Sequence, residues 1–329
     1  MTTATTTTTL APPASARSAA QTLETMLLIR TFEEKNAELQ AAGKLGSVCT
    51  SVGQEASAAG VVQALGAQDF ILTNHRSAGH LLARGADPGR VMAEIMGKAT
   101  GYCGGKSGPL HISIKELGVL LTSTIVGGEL SLVTGVGLSV DAMGGDAVVA
   151  VFFGDGAATE GIFHESVNLA AVWNLPILYI CENNQWQAYV NRKETMLTDH
   201  VSEWAKPYGV EARTVDGNDV EAVAAAAREA VAYIRKNRKP YFLETYTYRL
   251  RGHMEPDTQG YVNQDELAAW KRRDPIATLE TRLVESGELS AEELSSIKEK
   301  VRLVVEEAVS FATDSPYPSF AELTTDVYA

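Results

Sequence analysis

The 329-residue sequence predicts an α/β fold: a doubly wound, mostly parallel sheet with helices on both faces and a helical C-terminal segment. Three observations carry this. Ala147 to Phe153, AVVAVFF, is apolar throughout, too short for a globular helix and rich in Val and Phe, as in a strand buried on both faces. Beyond the turn Gly154-Asp155-Gly156, the residues Ile162, Val167, Leu169, Ala170 and Trp173 recur close to helical spacing, and Pro176 to Cys181 is a second apolar run. The stretch 147–187 therefore reads as one right-handed βαβ unit. It places Asp155 and the pair Asn183-Asn184 at the carboxyl ends of two parallel strands, the edge where open α/β sheets bind ligands.

The rest of the chain fits around this unit. Residues 1–18, MTTATTTTTLAPPASARS, are low in complexity and nearly uncharged, too poor in apolar surface to fold, and are expected to be a disordered tail. Only Arg17 in it is basic, which argues against a transit peptide. Residues 19–329 are expected to form the α/β domain, with a helical extension from about 264. From 19 to 42, Leu23, Met26, Leu27, Phe32, Ala37 and Leu39 mark a helix, with Arg30, Glu33, Glu34 and Lys35 expected in solvent and Gly43 as its stop. Gly53-Gln54-Glu55-Ala56 opens a second helix to Leu65, and Asp69 to Thr73 is a short strand delivering Asn74-His75-Arg76. The stretch 101–111, GYCGGKSGPLH, is a glycine-rich loop, and Thr124 to Gly128 a strand-to-helix turn. Later come a strand over 211–215, an alanine-rich helix over 219–236, and a strand over 240–248. A breaker-rich loop follows over 254–263, then a C-terminal helix capped by Ser290 and Glu293 and ended by Asp314-Ser315-Pro316.

Composition narrows the function. Hydrophobic content of 45% with 21% charged residues is that of an ordinary soluble globular chain. A net charge of −13 argues against nucleic-acid or anionic-membrane partners, and no apolar run approaches a membrane span. The three cysteines form no CxxC pair, so a reducing, cytoplasmic setting is expected rather than a disulfide framework or zinc site.

Asp155 is a hard anionic oxygen donor, Asn184 a neutral one, and the chain just beyond offers a backbone carbonyl. This is the partial octahedron that Mg²⁺ accepts when phosphate oxygens complete its shell, so a magnesium-bridged diphosphate is the implied ligand. Two other readings stay open on these residues: a nicotinamide-dinucleotide site with Glu182 on the ribose, and a purely structural strand-turn-strand. The first would have a third glycine where Thr159 stands.

Gly154-Asp155-Gly156, 26 residues and then Asn183-Asn184 resemble the thiamine diphosphate motif. The surrounding Glu160-Gly161, Phe163-His164-Glu165, Asn168-Leu169-Ala170-Ala171, Trp173, Leu175-Pro176 and Cys181-Glu182 resemble the α subunit of the 2-oxoacid dehydrogenase first component, the pyruvate, acetoin and branched-chain family. Resemblance covers about residues 20–329. It implies the thiamine-diphosphate-binding fold, with magnesium on Asp155, Asn184 and the Trp186 carbonyl, Gly156 and Ala157 along the cofactor, Arg76 and Arg249 on its diphosphate, and His75 and His253 as further cofactor-binding residues. It further implies backbone contacts from Thr124 and Val126 to the aminopyrimidine, and His75 and His253 as the catalytic histidines. His111 is a further candidate, whereas His80 and Arg251 read as structural.

The resemblance implies attack of the cofactor ylid on a small 2-oxo acid or acetoin, decarboxylation or C–C cleavage, and acyl transfer to a lipoyl acyltransferase. It also implies a β subunit, in an α₂β₂ tetramer, that brings the glutamate needed by the pyrimidine ring. Glu129 or Glu55 are the residues of this chain that could replace that glutamate, and a non-catalytic scaffolding subunit is the remaining alternative. The chain departs from the pyruvate and acetoin members at Ser47 and Cys49, where those have an aromatic residue and a histidine, and carries Ala78 as the branched-chain members do, which suggests room for acyl groups larger than that of pyruvate; it departs also at Glu129, where a neutral residue is common. Met254 replaces a phosphorylated serine of mammalian relatives, so that route of regulation is not expected.

Overall fold

A computed structural model describes residues 17–327. Six strands, β1 (Phe70–Asn74), β2 (Val119–Ser123), β3 (Val149–Gly154), β4 (Ile177–Asn183), β7 (Glu211–Asp216) and β8 (Tyr241–Tyr246), form one sheet in the order β2-β1-β3-β4-β8-β7. Every neighbouring pair in it is parallel. The two-residue strands β5 (Trp186–Gln187) and β6 (Val190–Asn191) make a separate antiparallel ribbon. The helices are α1 (Ala19–Ala41), α2 (Glu55–Val62), α3 (Ala78–Arg84), α4 (Pro88–Ile95), α5 (Gly128–Met143), α6 (Asp155–Ala158), α7 (Gly161–Trp173), α8 (Ser202–Ala205), α9 (Val220–Asn237), α10 (Gln264–Lys271), α11 (Pro275–Glu285) and α12 (Ala291–Asp314).

The two-residue period of a strand explains how the sheet is covered. Ala150 and Phe152 of β3, with Leu178 and Ile180 of β4, enter the core shared with α1–α4, α9 and α12. Their alternates Val149, Val151, Phe153, Ile177, Tyr179 and Cys181 enter the opposite core, under α5, α7 and α8. Both strands are buried on both faces, as the apolar runs require. From β1 the chain passes outward to β2 and then crosses back to β3 on the other side of β1. The connections diverge there, and a crevice opens at the carboxyl ends of β1 and β3.

Most of the expected tail, residues 1–16, lies outside the described residues; Arg17 and Ser18 belong to the ordered body. Arg17 donates to Thr25 Oγ1 and the Ala83 carbonyl, and Ser18 forms a capping box with Gln21 at the start of α1. A second expectation needs correction at Glu33, which is buried rather than in solvent and accepts from Ser51 N (3.0 Å) and Ser51 Oγ (2.9 Å). Those bonds tie α1 to the segment leading into α2, and burial lifts the carboxyl to about 6. The apolar stripe of the C-terminal helix is internal: Val301, Val305 and Ala308 are buried where α12 packs along α1 and α4. The Ser290–Glu293 capping box forms as expected.

Candidate active site

A cavity of about 300 Å³ opens at the carboxyl edge of the sheet. Five of the six strand ends contribute: His75 and Arg76 after β1, Val126 after β2, Gly156 and Ala157 after β3, Asn184 and Trp186 after β4, Arg249 and His253 after β8. The sequence scatters these residues over nearly 180 positions, and parallel register brings them together.

Two guanidinium groups face this cavity from buried positions, Arg76 at 5% and Arg249 at 2% exposure. Among the described residues neither forms an ion pair with a carboxylate. Arg76 donates to the carbonyls of Thr50 and His253, both at 2.8 Å, and Arg249 Nη2 to the Ala188 carbonyl (2.7 Å) and Tyr261 Oη (3.0 Å). Arg249 Nε has no partner. Burial, and then the charge of Arg76, draw the Arg249 pKa down to about 10. Buried cations without counter-ions are costly, and an anion of high charge density would relieve both.

Asp155 presents the opposite imbalance. It is buried between Gly154 and Gly156, which line the cavity, and neither carboxylate oxygen has a hydrogen-bond partner. Burial lifts its pKa to about 6, against the pull of the Asp155 and Asn184 backbone amides. A divalent cation would satisfy this carboxylate. Among the described residues no cluster of three His, Cys, Asp or Glu side chains is placed to hold a metal, so a cation here would complete its shell with neutral oxygens and ligand phosphate. Asn184 is placed for that role. Its Nδ2 donates to Gln54 Oε1 (3.1 Å) and its Oδ1 accepts from Trp186 N (3.1 Å), which fixes the amide with the oxygen turned into the Asn184–Trp186 turn. That turn needs Gln185 at φ 72°, a left-handed conformation that a non-glycine residue resists. Gln185 Nε2 bonds Asn183 O and Oδ1, and Arg192 Nε donates to Gln185 Oε1 (2.7 Å), so side chains hold the turn.

His75 and His253 lie with ring centroids 5.9 Å apart. Burial, followed by the charge of Arg76, lowers their pKa values to about 3 and about 4. Both are neutral at pH 7, so the expectation of a histidine acid near neutral pH applies only once the arginines are neutralised. Titration of the imidazole signals with and without inorganic diphosphate checks this: the anion should raise the His253 pKa by one to three pH units, roughly the effect of an opposing charge at close range. An unchanged titration would show that the anion does not bind between the arginines. The loop over 254–263 is already ordered: Asp257 Oδ2 accepts from His253 N and Tyr261 Oη, each at 2.7 Å.

Several expected residues lie elsewhere. Thr124 does not line the cavity and contacts exposed His111 at 3.3 Å. The glycine-rich loop also stays outside; buried Glu94 gathers it by accepting from Cys103 N, Gly105 N, Ser107 N and Ser107 Oγ. Glu55 is committed to Arg30 and Gly53 N, so it supplies no carboxylate to the cavity. Ser47 is exposed, Ala78 packs against the core, Cys49 is half-buried, and none of the three lines the cavity. The cavity of this chain alone therefore takes no part of its lining from these three positions. Glu182, the ribose ligand of the dinucleotide reading, does line the cavity, but its Oε1 accepts from Ser57 Oγ and lies 3.1 Å from His80 Nε2, which keeps His80 structural. Gln54 and Gln187 line the cavity unforeseen, since a lone glutamine carries no sequence signal of a site.

The sequence profile of the dehydrogenase E1 component family matches residues 23–321. The chain belongs to that family. It is 42% identical over 307 residues to the α subunit of acetoin:2,6-dichlorophenolindophenol oxidoreductase of Bacillus subtilis (strain 168), covering 93% of this chain and 92% of that protein. It is 39% identical over 304 residues to the pyruvate dehydrogenase E1 component α subunit of Rhizobium meliloti (strain 1021), covering 92% of this chain and 87% of that protein. The same subunit of Rickettsia bellii (strain RML369-C) is 33% identical over 309 residues, with 94% and 95% covered. The resemblance to an E1 α subunit of the 2-oxoacid dehydrogenase type is thereby borne out, and membership of this family implies thiamine diphosphate and a β partner.

Proposed function

We propose that the chain is the α subunit of an E1 oxidoreductase that cleaves a small 2-oxo acid or acyloin and transfers the acyl group to a lipoyl acyltransferase. One observation carries the reading: in one cavity, two buried arginines and a buried aspartate stand close without a direct ion pair among them. A magnesium-bridged diphosphate answers both signs of charge. Arg76 and Arg249 would bind its oxygens, and Asp155, Asn184 Oδ1 and the Trp186 carbonyl would hold Mg²⁺. Bound thiamine diphosphate supplies the carbanion chemistry. Neutral His75 and His253, at the same mouth, are placed to hydrogen-bond the reacting oxygen and to hold a proton once the diphosphate offsets the arginines.

The surface beside the cavity supports the β subunit. Ile125, Val126, Leu132 and Leu138 before and along α5, and Leu169, Val172 and Trp173 on neighbouring α7, are exposed. So large an apolar surface at a site mouth is a mark of an interface. Free Cys49, Cys103 and Cys181 support a reducing, cytoplasmic setting, and no helix among the described residues is long and apolar enough to cross a membrane.

The α–β enzyme, assayed with thiamine diphosphate, Mg²⁺ and an artificial electron acceptor, should oxidise at least one of pyruvate, 2-oxobutyrate, the branched-chain 2-oxo acids and acetoin. Thiamine-independent reduction of a nicotinamide would overturn the proposal.

A further inference from the structure

One carboxylate in the cavity has no task in the reading above. Glu129, on the first turn of α5, lines the cavity at 1% exposure, and its Oε2 has no hydrogen-bond partner. It forms no ion pair among the described residues. Nearby Ser123 cannot satisfy it, because its hydroxyl accepts from Ile125 N (3.1 Å) and contacts the Ile125 carbonyl. The other titratable groups lining the cavity are His75, Arg76, Glu160, Glu182, Arg249 and His253, with Asp155 beneath Gly154 and Gly156. From α7, packed on α5, His164 bonds Tyr208 Oη and Glu165 is exposed. A buried acceptor without a partner, aimed into a ligand cavity, is satisfied by the ligand.

We propose that Glu129 is a specificity-determining residue: its free carboxyl oxygen accepts a hydrogen bond from a substrate hydroxyl and opposes a carboxylate in the same place. The site then takes an uncharged 2-hydroxyketone in preference to a 2-oxo acid. This rests on the function proposed above. A hydroxyketone carries the donor that the carboxyl lacks, whereas a 2-oxo acid brings a second negative charge into a poorly solvated space. Burial lifts the Glu129 pKa to about 7, against the pull of its own backbone amide. Above that pH the carboxylate accepts from a hydroxyl, and a bound 2-oxo acid must either face it or force it to take up a proton.

The test compares kcat/KM for acetoin and for pyruvate in the α–β enzyme between pH 6 and pH 9. In the unmodified enzyme the acetoin-to-pyruvate ratio should climb above pH 7, by up to about tenfold per pH unit where binding requires the protonated acid. Glu129→Gln should flatten that climb and lower the ratio at pH 8 by about tenfold, mainly through a smaller KM for pyruvate, and Glu129→Asp should restore part of the preference. Thiamine diphosphate affinity by calorimetry should stay within about twofold in both variants. A ratio independent of pH, or the same in Glu129→Gln, overturns the inference alone. Loss of cofactor affinity or of β-subunit association in Glu129→Gln also overturns it, since the carboxyl would then serve the cofactor or the partner. An unmodified enzyme that binds no thiamine diphosphate overturns the proposed function and this inference with it.

Discussion

Asp155→Ala should abolish magnesium-dependent binding of thiamine diphosphate, raising its Kd by about a hundredfold or more, because the only anionic metal donor proposed for the site is lost. Calorimetry of the α–β enzyme with and without Mg²⁺ measures it, and unchanged affinity would exclude Asp155 as a ligand. The ligand-free protein should respond in the opposite direction. Both Asp155 oxygens are buried without partners, so the neutral isostere in Asp155→Asn removes an uncompensated charge. Its unfolding free energy should rise by about 1–3 kcal/mol, a stability gain bought with function. If denaturant unfolding shows the variant to be less stable, the carboxylate is satisfied in a way that the geometry does not reveal.

The second large effect concerns the partner. Purified without a β subunit, the chain should turn over none of the substrates, with activity on the order of 10²–10⁴-fold or more below the assembled enzyme, the range for a missing proton-transfer group. Glu55 is held by Arg30 and Gly53, so of the two residues that could replace the partner's glutamate only Glu129 lines the cavity, beside Glu160 and Glu182. Leu138→Asp, on the exposed face of α5, should prevent assembly while leaving the folded chain intact. Sedimentation with the β subunit reads the first effect and circular dichroism the second. Substantial turnover by the isolated chain would mean that the active site is complete within it.

How much of this was legible in the sequence follows from the range of each signal. The βαβ unit around Asp155 was readable because apolar runs, turn and helix are local, and the capping residue Ser290 marked its helix for the same reason. Glu33 and Glu94 were not readable. Their burial depends on backbone donors from segments 9 to 18 residues away, and a glutamate in a helix otherwise reads as a solvent residue. Arg76 and Arg249 were singled out by resemblance, yet their lack of counter-ions is a property of three dimensions. Ser47, Cys49 and Ala78 are likewise near the site in sequence, yet which of them line the cavity is decided only in three dimensions, and none does.

The left-handed turn at Gln185 has a consequence for affinity. A glycine there would adopt the conformation without strain and would also leave it freely, so the proposed metal oxygens of Asn184 and Trp186 would have to be immobilised each time a ligand arrived. Gln185, bonded to Asn183 and Arg192, holds the turn before any ligand is present. The ordering entropy is thus met once, during folding, and the site is preorganised, so that more of the attraction between cation and oxygens remains available as binding free energy.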